Sequence, residues 1–200
     1  MLKILLGAFL MVLLPLAAFA QSNNPKAEVF GGYSYFQANA SEFKNLYNWN
    51  NLNGWDASVA GNFNKWFGGE GNFSGYYGSP SVLGFNIPLL KVNYYTVMGG
   101  PKLTYRSGAI APFTHFLSGA ARGSFAGGIG SFNLNLTDQT ALATAVGGGF
   151  DINLGKHLAI RAVQADYLMT RFNPITEFPF SGLSERQNNL RLSAGIVYRF

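Results

Sequence analysis

The sequence predicts an all-β fold, an eight-stranded antiparallel up-and-down transmembrane β-barrel, from three observations. Of its 200 residues, 48% are hydrophobic and 16% aromatic but only 12% are charged, about half the roughly 25% that soluble domains carry. Apolar and polar residues alternate with a period of two in most segments, which is typical of strands with two unlike faces. The connections between these segments alternate between short and long, as in up-and-down membrane barrels.

Residues 1–20 are predicted to be a secretory signal peptide, which leaves 21–200 as the barrel domain. Lys3 supplies the positive charge, an apolar run follows it, and residues 18–20 form a small-x-small cleavage site. The chain contains no Cys, which excludes disulfides, a thiol nucleophile and a thiolate metal site. After the signal no apolar stretch approaches the roughly 18–20 residues of a membrane-spanning helix, so a helical membrane protein is also excluded.

The alternation is clearest at the C-terminus, where it continues to the last residue. Leu192, Ile196 and Tyr198 share one face of this strand, and Arg191 and Ser193 share the other. The same pattern predicts seven strands upstream of it. They lie near 27–37, 54–65, 67–77, 92–106, 112–123, 140–153 and 157–171.

The first three strands each have an apolar and a small or polar face. The first places Tyr33 and Ser34 on opposite faces, and the second does the same with Trp55 and Asp56. The third strand carries Glu70 on its polar face. All three are therefore predicted to separate two different environments.

The fourth and fifth strands contain the least regular features of the first half. The fourth carries Lys102 on its polar face and Pro101 on its apolar face. Because Pro lacks an amide donor, we expect a bulge or the end of the strand there. The fifth strand is predicted to turn its more polar face inward, with Thr114, Ser118, Ala120 and Arg122.

The sixth and seventh strands place further charges inside. The sixth carries Asp151 on its small and polar face. In the seventh, Arg161 has an odd residue number whereas Gln164 and Asp166 have even numbers, so a regular strand would place Arg161 on the opposite face. A β-bulge between them would return all three side chains to one face, so we predict a bulge.

The connections predict two different ends of the barrel. Short turns are expected near 65–67, 107–111 and 154–156. Four long loops are expected near 38–53, 78–91, 124–139 and 172–188, on the extracellular side. The sequence names no ligand for these loops.

The polar faces consist mainly of small residues with one or two charges per strand, which suits the crowded interior of a narrow barrel. We therefore expect the aromatic and aliphatic faces to contact lipid and the charges to pair inside as a plug, because an isolated buried charge is too costly. In particular, Glu70 is expected near Lys102, and Asp166 near Arg191. The predicted charge network in the lumen consists of Asp56, Glu70, Lys102, Arg122, Asp151, Asp166 and Arg191.

The last eight residues carry a resemblance to a known family. Ser193, Gly195, Tyr198 and Phe200 look like the C-terminal signal of outer-membrane barrels. The whole chain is similar to small eight-stranded outer-membrane proteins of the outer-membrane-protein-A transmembrane type. The resemblance implies a bacterial outer-membrane location, surrounding outer-membrane lipid, and recognition of the C-terminal signal by the barrel-assembly machinery. It implies no shared catalytic residues and no cofactor.

The predicted function is a structural or surface-interaction role for a monomer. A narrow channel for ions or small solutes, gated by exchanging salt bridges, remains an alternative because charges within a membrane are functional candidates. A lipid-modifying enzyme is a third alternative. No nucleic-acid partner is expected, since Lys and Arg are scattered singly despite a net charge of +5.

The enzyme alternative depends on His115 and His157, the two histidines of the chain. Both are expected near the short turns, as surface or interface residues. Ser118 lies three residues from His115, hence on the opposite face of a strand, so the two cannot form a dyad without a bulge. We therefore predict no catalytic residue, no cofactor and no metal site.

Overall fold

The computed structural model describes residues 25–39, 47–48, 52–78, 81–82, 85–86, 90–129, 132–171 and 186–200. Within these ranges every regular element is a β-strand. Among the same residues, no helix has the length and apolar character needed to cross a membrane. The predicted signal peptide lies outside the described residues.

Eight long strands make up the main element of the fold. They are β1 (Ala27–Asn39), β3 (Leu52–Asn62), β4 (Phe67–Gly78), β7 (Leu90–Thr104), β8 (Ile110–Ile129), β9 (Phe132–Asn153), β10 (Leu158–Arg171) and β11 (Arg186–Arg199). Each pairs antiparallel with the next, and β11 pairs with β1 to close the barrel. The predicted all-β, eight-stranded antiparallel barrel is confirmed.

Three two-residue strands form a separate small sheet. They are β2 (Tyr47–Asn48), β5 (Ser81–Val82) and β6 (Phe85–Asn86), paired in the order β2-β5-β6. They fall within two segments that were predicted as long loops.

Short turns and both described chain ends lie at one end of the barrel, which we call the short-turn end. In the turn between β3 and β4, the Asn64 side-chain oxygen accepts hydrogen bonds from the amides of Trp66 and Phe67. The turn between β7 and β8 contains Gly108 with φ of 73°, a conformation that favours glycine because it has no Cβ. The amide of Phe200 donates to Ala27, which ties the two chain ends together.

The connection predicted as a loop over 124–139 is instead a β-hairpin. Strands β8 and β9 contain 20 and 22 residues, roughly twice the 9–11 residues of a typical membrane-crossing strand. Their pairing continues to Ile129 opposite Phe132, with a register shift between Gly123 and Phe125. The prediction failed because the Gly-rich and Asn-rich composition of this segment indicates a loop, whereas cross-strand pairing extends the ladder.

Strand β7 continues through Pro101 without a shift of register, which corrects the expected bulge or strand end, although its pairing with β8 skips Gly100 and Pro101. Its pairs with β4 keep one register from Gly68 opposite Lys102 through Gly69 opposite Pro101. The Pro101 side chain faces outward. The strand ends only at Thr104, three residues later.

The predicted bulge in β10 is present. The pairing of β10 with β9 shifts between Arg161 and Val163, and the pairing with β11 shifts between Arg161 and Gln164. As a result, Arg161, Gln164 and Asp166 are all buried although their parities differ. The extra residue thus lets one strand place three polar side chains inside.

The inward face of β8 is the opposite of the predicted one. Phe113, His115 and Leu117 are buried, while Thr114, Ser118, Ala120 and Arg122 are exposed on the outside. The register is the reason, since Lys102 on β7 lies directly opposite His115 on β8. Directly opposite residues in an antiparallel pair point to the same face, so an inward Lys102 requires an inward His115.

A buried apolar cluster fills the part of the interior farther from the short turns. On β1, Phe36 lies beyond Glu28, and on β4 Tyr76 lies beyond Glu70, counted from the short-turn end. The cluster consists of Phe36, Leu52, Tyr76, Tyr94, Met98, Leu117, Ala121, Ala143, Ala145 and Leu168. The remaining interior, toward the short turns, is mainly polar and charged.

Candidate functional site

The candidate site is the polar interior of the barrel, to which all eight barrel strands contribute. Each of its side chains belongs to a residue that is at most 4% exposed. They are Glu28, Asp56, Glu70, Asn72, Lys102, His115, Asp151, Arg161, Gln164, Asp166, Arg191 and Arg199. Charges of both signs are therefore enclosed together, as the cost of burying an unpaired charge requires.

Arg191 on β11 is the centre of the upper part of this network. Its Nη2 lies 2.7 Å from Oδ2 of Asp166 on β10, and its Nη1 lies 3.8 Å from Oδ1 of Asp56 on β3. The same Nη1 donates a hydrogen bond of 2.8 Å to Oδ1 of Asn72 on β4. One guanidinium thus links four strands across the interior.

Asp56 is held by neutral side chains as well as by Arg191. Nδ2 of Asn72 donates to its Oδ1 at 2.6 Å, and Oγ of Ser193 donates to its Oδ2 at 2.9 Å. Ser193 also hydrogen bonds to Ser34, and Ser34 to the hydroxyl of Tyr76. These bonds connect the charged network to the base of the apolar cluster.

His115 joins the upper and lower parts of the network. Its Nε2 lies 2.7 Å from Oδ1 of Asp166, and its Nδ1 lies 3.3 Å from Oε2 of Glu70. These carboxylates come from β10 and β4, on opposite sides of β8 in the barrel order. Both ring nitrogens therefore have acidic neighbours.

Glu28 and Lys102 form the lower part of the network, near the short turns. Nζ of Lys102 lies 3.4 Å from Oε2 of Glu28 and 3.5 Å from Oε2 of Glu70. Oε1 of Glu28 contacts Nε of Arg199 at 3.1 Å and Nη2 of Arg106 at 2.9 Å. The ion pairs thus continue from the centre of the interior to its lower rim.

Asp151 completes the lower part. Its Oδ1 lies 2.9 Å from Nε of Arg161, and its Oδ2 lies 3.3 Å from Nη2 of Arg199. The guanidinium of Arg161 is also placed over the rings of Phe30 and Phe113, 4.3 and 4.1 Å from their centroids. Cation–π contacts of this kind are strongest where water is excluded.

The structure places six of the seven predicted network residues inside the barrel. Lys102 and Glu70 are neighbours there, as are Asp166 and Arg191. Arg122 is the exception, since it lies on the outward face of β8 and is exposed. Its assignment to the lumen is corrected for the reason given above, namely the register of β8 on β7.

The sequence analysis missed three ionisable members of the network, namely Glu28, His115 and Arg199. Glu28 and Arg199 could have been found by parity, because Glu28 shares a face with Ser34 and Arg199 shares a face with Ser193. His115 could not, because its partners are 45 and 51 residues away along the chain. The expectation that His115 lies at a surface or interface is wrong, since it is 3% exposed.

The second histidine and the C-terminal motif lie outside the charged interior. His157 is exposed in the turn before β10, with its Nδ1 2.9 Å from the carbonyl oxygen of Arg199. Tyr198 and Phe200 face outward with their rings 4.9 Å apart, whereas Ser193 faces inward. In the described part of the chain, no group of three His, Cys, Asp or Glu residues is arranged to hold a metal ion.

The outward surface is mainly apolar between two levels of aromatic residues, with Thr114 and Ser118 of β8 as exposed exceptions. At the level far from the short turns, Nε1 of Trp55 and the hydroxyl of Tyr95 each lie within hydrogen-bond distance of the Tyr77 hydroxyl. Near the short turns, Trp66 and Tyr105 are exposed, as is Tyr198. Such a band, bounded by aromatic girdles, is typical of a barrel that crosses a membrane.

Comparison with known proteins agrees with this architecture. The model of the family described as outer membrane protein beta-barrel domain matches residues 6–200. No curated protein matches the chain.

Several solved structures share the fold at low sequence identity. Ail, the attachment invasion locus protein of Yersinia pestis, is 19% identical with a TM-score of 0.60, covering 88% of this chain and 99% of that chain. Neisserial surface protein A is 13% identical with a TM-score of 0.58, covering 88% and 97%. The outer membrane protein OprG of Pseudomonas aeruginosa is 14% identical with a TM-score of 0.57, covering 88% and 96%.

Proposed function

The chain belongs to the outer membrane protein β-barrel domain family, and on that premise we propose that it is a plugged barrel with a structural or surface-interaction role. It stands in the bacterial outer membrane as a monomer, with the short turns toward the periplasm and the long connections outside. Residues 1–20 are removed on export, and the C-terminal motif ending in Phe200 is recognised during assembly of the barrel. A plugged barrel does not transport bulk solute, so its function lies on its surfaces.

The filled interior is the observation that carries this proposal. Phe36 packs against Tyr76 and Tyr94, with ring centroids 4.9 and 5.2 Å apart. Below them, toward the short turns, lie the ion pairs of Arg191 and Lys102. Hydrated ions would have to displace both layers, and closely packed side chains give way only in discrete rearrangements.

Conductance in planar lipid bilayers tests the plug. We expect the purified protein to give no large stable openings, whereas a double Phe36→Ala, Tyr94→Ala variant should give measurable openings because it removes two rings from the apolar cluster. Val97→Ala is the matched control, since Val97 faces outward and is 55% exposed. Large stable openings from the unaltered protein would contradict the plugged barrel.

The surface-interaction role is supported by the unequal ends of the barrel. The paired hairpin of β8 and β9 continues well beyond the length that a membrane crossing needs. Surface roles are also what the printed names of the Yersinia attachment protein and the Neisserial surface protein state for those two proteins. We therefore assign binding specificity to the connections at the end of the barrel far from the short turns.

Deleting residues 174–184, between β10 and β11, tests the role of one connection. Binding to cells, lipopolysaccharide and proteins would be compared between the deletion variant and the unaltered protein. We expect the deletion to reduce binding to one of these while the heat-dependent shift in gel mobility, which reports the folded barrel, is preserved. Equal binding by both proteins would contradict a surface role for this connection.

A narrow channel is the second candidate, and one observation favours it. Arg191 lies within 2.7 Å of one carboxylate, Asp166, and within 3.8 Å of another, Asp56. If the guanidinium of Arg191 moved from Asp166 toward Asp56, the ion pairs would rearrange while Arg191 kept a carboxylate partner. Under this alternative, Asp56→Asn would change the frequency of small openings in the bilayer experiment, whereas a permanent plug predicts no openings in either protein.

An enzymatic role is not proposed. His115 is enclosed in the interior with a carboxylate near each ring nitrogen. Lipid contacts the outward face of the barrel, so a lipid substrate does not meet this imidazole. Ser118, on the same strand, faces outward.

A further inference from the structure

His115 has a carboxylate at each of its two ring nitrogens. Its Nε2 lies 2.7 Å from Oδ1 of Asp166, and its Nδ1 lies 3.3 Å from Oε2 of Glu70. All three side chains are 0% exposed, so water does not replace either contact. A neutral imidazole has one N–H and can donate to only one of the two carboxylates, whereas an imidazolium can donate to both.

Each of the two carboxylates also contacts a cation. Oδ2 of Asp166 lies 2.7 Å from Nη2 of Arg191, and Oε2 of Glu70 lies 3.5 Å from Nζ of Lys102. A nearby positive charge favours the ionised form of a carboxyl group, which has no proton to donate. The protons of both hydrogen bonds at His115 therefore have to come from the imidazole ring.

The charges enclosed in the barrel are one cation short if His115 is neutral. Among the buried residues that the structure describes, five have carboxylates and four have ammonium or guanidinium groups. They are Glu28, Asp56, Glu70, Asp151 and Asp166 against Lys102, Arg161, Arg191 and Arg199. Arg106 also contacts Glu28, but it lies at the lower rim and is partly exposed. An imidazolium supplies a fifth buried cation, which reduces the cost of enclosing five carboxylates.

The groups that face His115 come from four strands. They are Glu70 of β4, Lys102 of β7, Gly147 of β9 and Asp166 of β10. Lys102 is the one group of these four that opposes a charge on the imidazole. Its Nζ lies 3.4 Å from Glu28 and 3.5 Å from Glu70, so two carboxylates offset its repulsion. The two carboxylates at the ring nitrogens therefore dominate the electrostatics of the imidazole.

His115 also joins the upper and lower parts of the network through its two contacts. A second link between these parts runs through Gln164, which donates to Oδ2 of Asp166 at 2.8 Å and accepts from Nη1 of Arg161 at 2.7 Å. The side-chain amide of Gln164 does not titrate. Of these two links, the one through His115 is thus the one that responds to pH.

We propose that His115 is a doubly protonated clasp, an imidazolium that joins Glu70 to Asp166 across the interior and that the barrel acquires by taking up a proton from solvent when it folds. Alkaline solution removes this proton, which breaks one ring N–H bond and returns the proton to solvent. Glu70 then keeps its contact with Lys102 but loses the one with His115. This inference stands on contacts inside the barrel and holds for a plug and for a narrow channel alike.

The protonation of the ring nitrogens of His115 tests the clasp directly. The chain has two histidines, so His157→Gln at the exposed one leaves a single imidazole in the proton–nitrogen correlation spectrum of the folded protein in nanodiscs. At about pH 8 an imidazole in water is mostly neutral, because its ordinary pKa is about 6.5. We expect both nitrogens of His115 to carry a proton at this pH. A neutral ring would overturn the proposal.

Two further variants, made together with the first substitution, test the role of Glu70. Glu70→Gln keeps the shape of the side chain, but the new amide can donate to an unprotonated Nδ1. We expect the ring to be mainly neutral at the same pH, with its remaining proton on Nε2 toward Asp166. Asp151→Asn is the matched control, since the ion pairs of this buried carboxylate are with Arg161 and Arg199, and its imidazole should stay doubly protonated. The same protonation state in both variants would contradict the clasp.

The pH dependence of stability measures the proton taken up on folding. Where the unfolded chain has lost this proton and the barrel keeps it, the unfolding equilibrium constant rises by up to about tenfold per pH unit. Between about pH 7 and pH 9 we expect this constant, measured in urea, to rise about tenfold more in His157→Gln than in the double variant with His115→Gln. Lysines and tyrosines titrate in both proteins, so their contributions cancel.

Equal pH dependence of the two proteins would show that folding takes up no proton at His115. The heat-dependent shift in gel mobility checks that each variant is folded, and if the double variant does not fold, the spectrum of His157→Gln still decides. None of these measurements involves conductance or binding at the long connections. The clasp and the plugged barrel with a surface role therefore fail separately.

Discussion

Arg191 shows how a single buried side chain can organise the interior. It is 0% exposed and contacts Asp166, Asn72 and Asp56, which come from three other strands. Four strands therefore depend on one guanidinium. The planar, always charged arginine suits this position, because a lysine could not make the same set of directed contacts.

Replacing this side chain is expected to cost much of the stability of the barrel. Arg191→Met removes the guanidinium that pairs with Asp56 and Asp166, and breaking a buried pair by removing one partner costs about 3–5 kcal/mol. The free energy of unfolding in urea, measured in lipid vesicles, checks this. Lys156→Met, at an exposed cation in a short turn, is the control and should change stability little. Equal effects of the two substitutions would contradict a central role for Arg191.

At the scale of the elements, close contacts between strands decide which residues fit. Gly147 on β9 lies directly opposite Asp166 on β10. A Cβ added at Gly147 would collide with Oδ1 of Asp166 and with the backbone oxygen of Ala165. The absence of a side chain on one strand thus makes room for a charged side chain on the next.

Gly147→Ala is therefore expected to destabilise the barrel by about 1–3 kcal/mol, the usual cost of overpacking. The added methyl group must displace either the carboxylate of Asp166 or the β10 backbone. Gly31→Ala is the matched control, because a Cβ there would meet no atom within 4 Å. Urea unfolding of both variants measures the difference. If both lose the same stability, the close approach is not the cause.

At the scale of the whole molecule, the outward surface determines how the barrel sits in lipid. Trp55 and Trp66 are 42% and 59% exposed and belong to the two aromatic levels. The apolar band between such girdles is about 25 Å tall in membrane barrels. Each tryptophan should therefore lie near one of the two interfaces.

Fluorescence quenching by brominated lipids tests that placement. In variants that retain only Trp55 or only Trp66, we expect stronger quenching by lipids brominated close to the headgroup than by lipids brominated near the end of the acyl chain. A tyrosine or phenylalanine replaces the other two tryptophans of the chain. Equal emission with and without brominated lipid would contradict contact of these side chains with the bilayer.

The sequence by itself determined the strands and most of their faces. An alternation with a period of two can be recognised from neighbouring residues alone. It was therefore enough to assign six charged residues to the interior from their alternate positions along the strands, namely Asp56, Glu70, Lys102, Asp151, Asp166 and Arg191. The bulge of β10 was also predictable, because Arg161 and Asp166 could share a face only if one residue was inserted between them.

Only the tertiary structure decided the face of β8, the length of its hairpin and the partners of His115. Both faces of β8 mix small and apolar residues, so its orientation depends on pairing with β7, where Lys102 lies opposite His115. The hairpin follows from ladder pairing that composition does not reveal. The contacts of His115 cross the lumen to two other strands. Alternation determines which residues share a face, but closure of the barrel determines which of them meet.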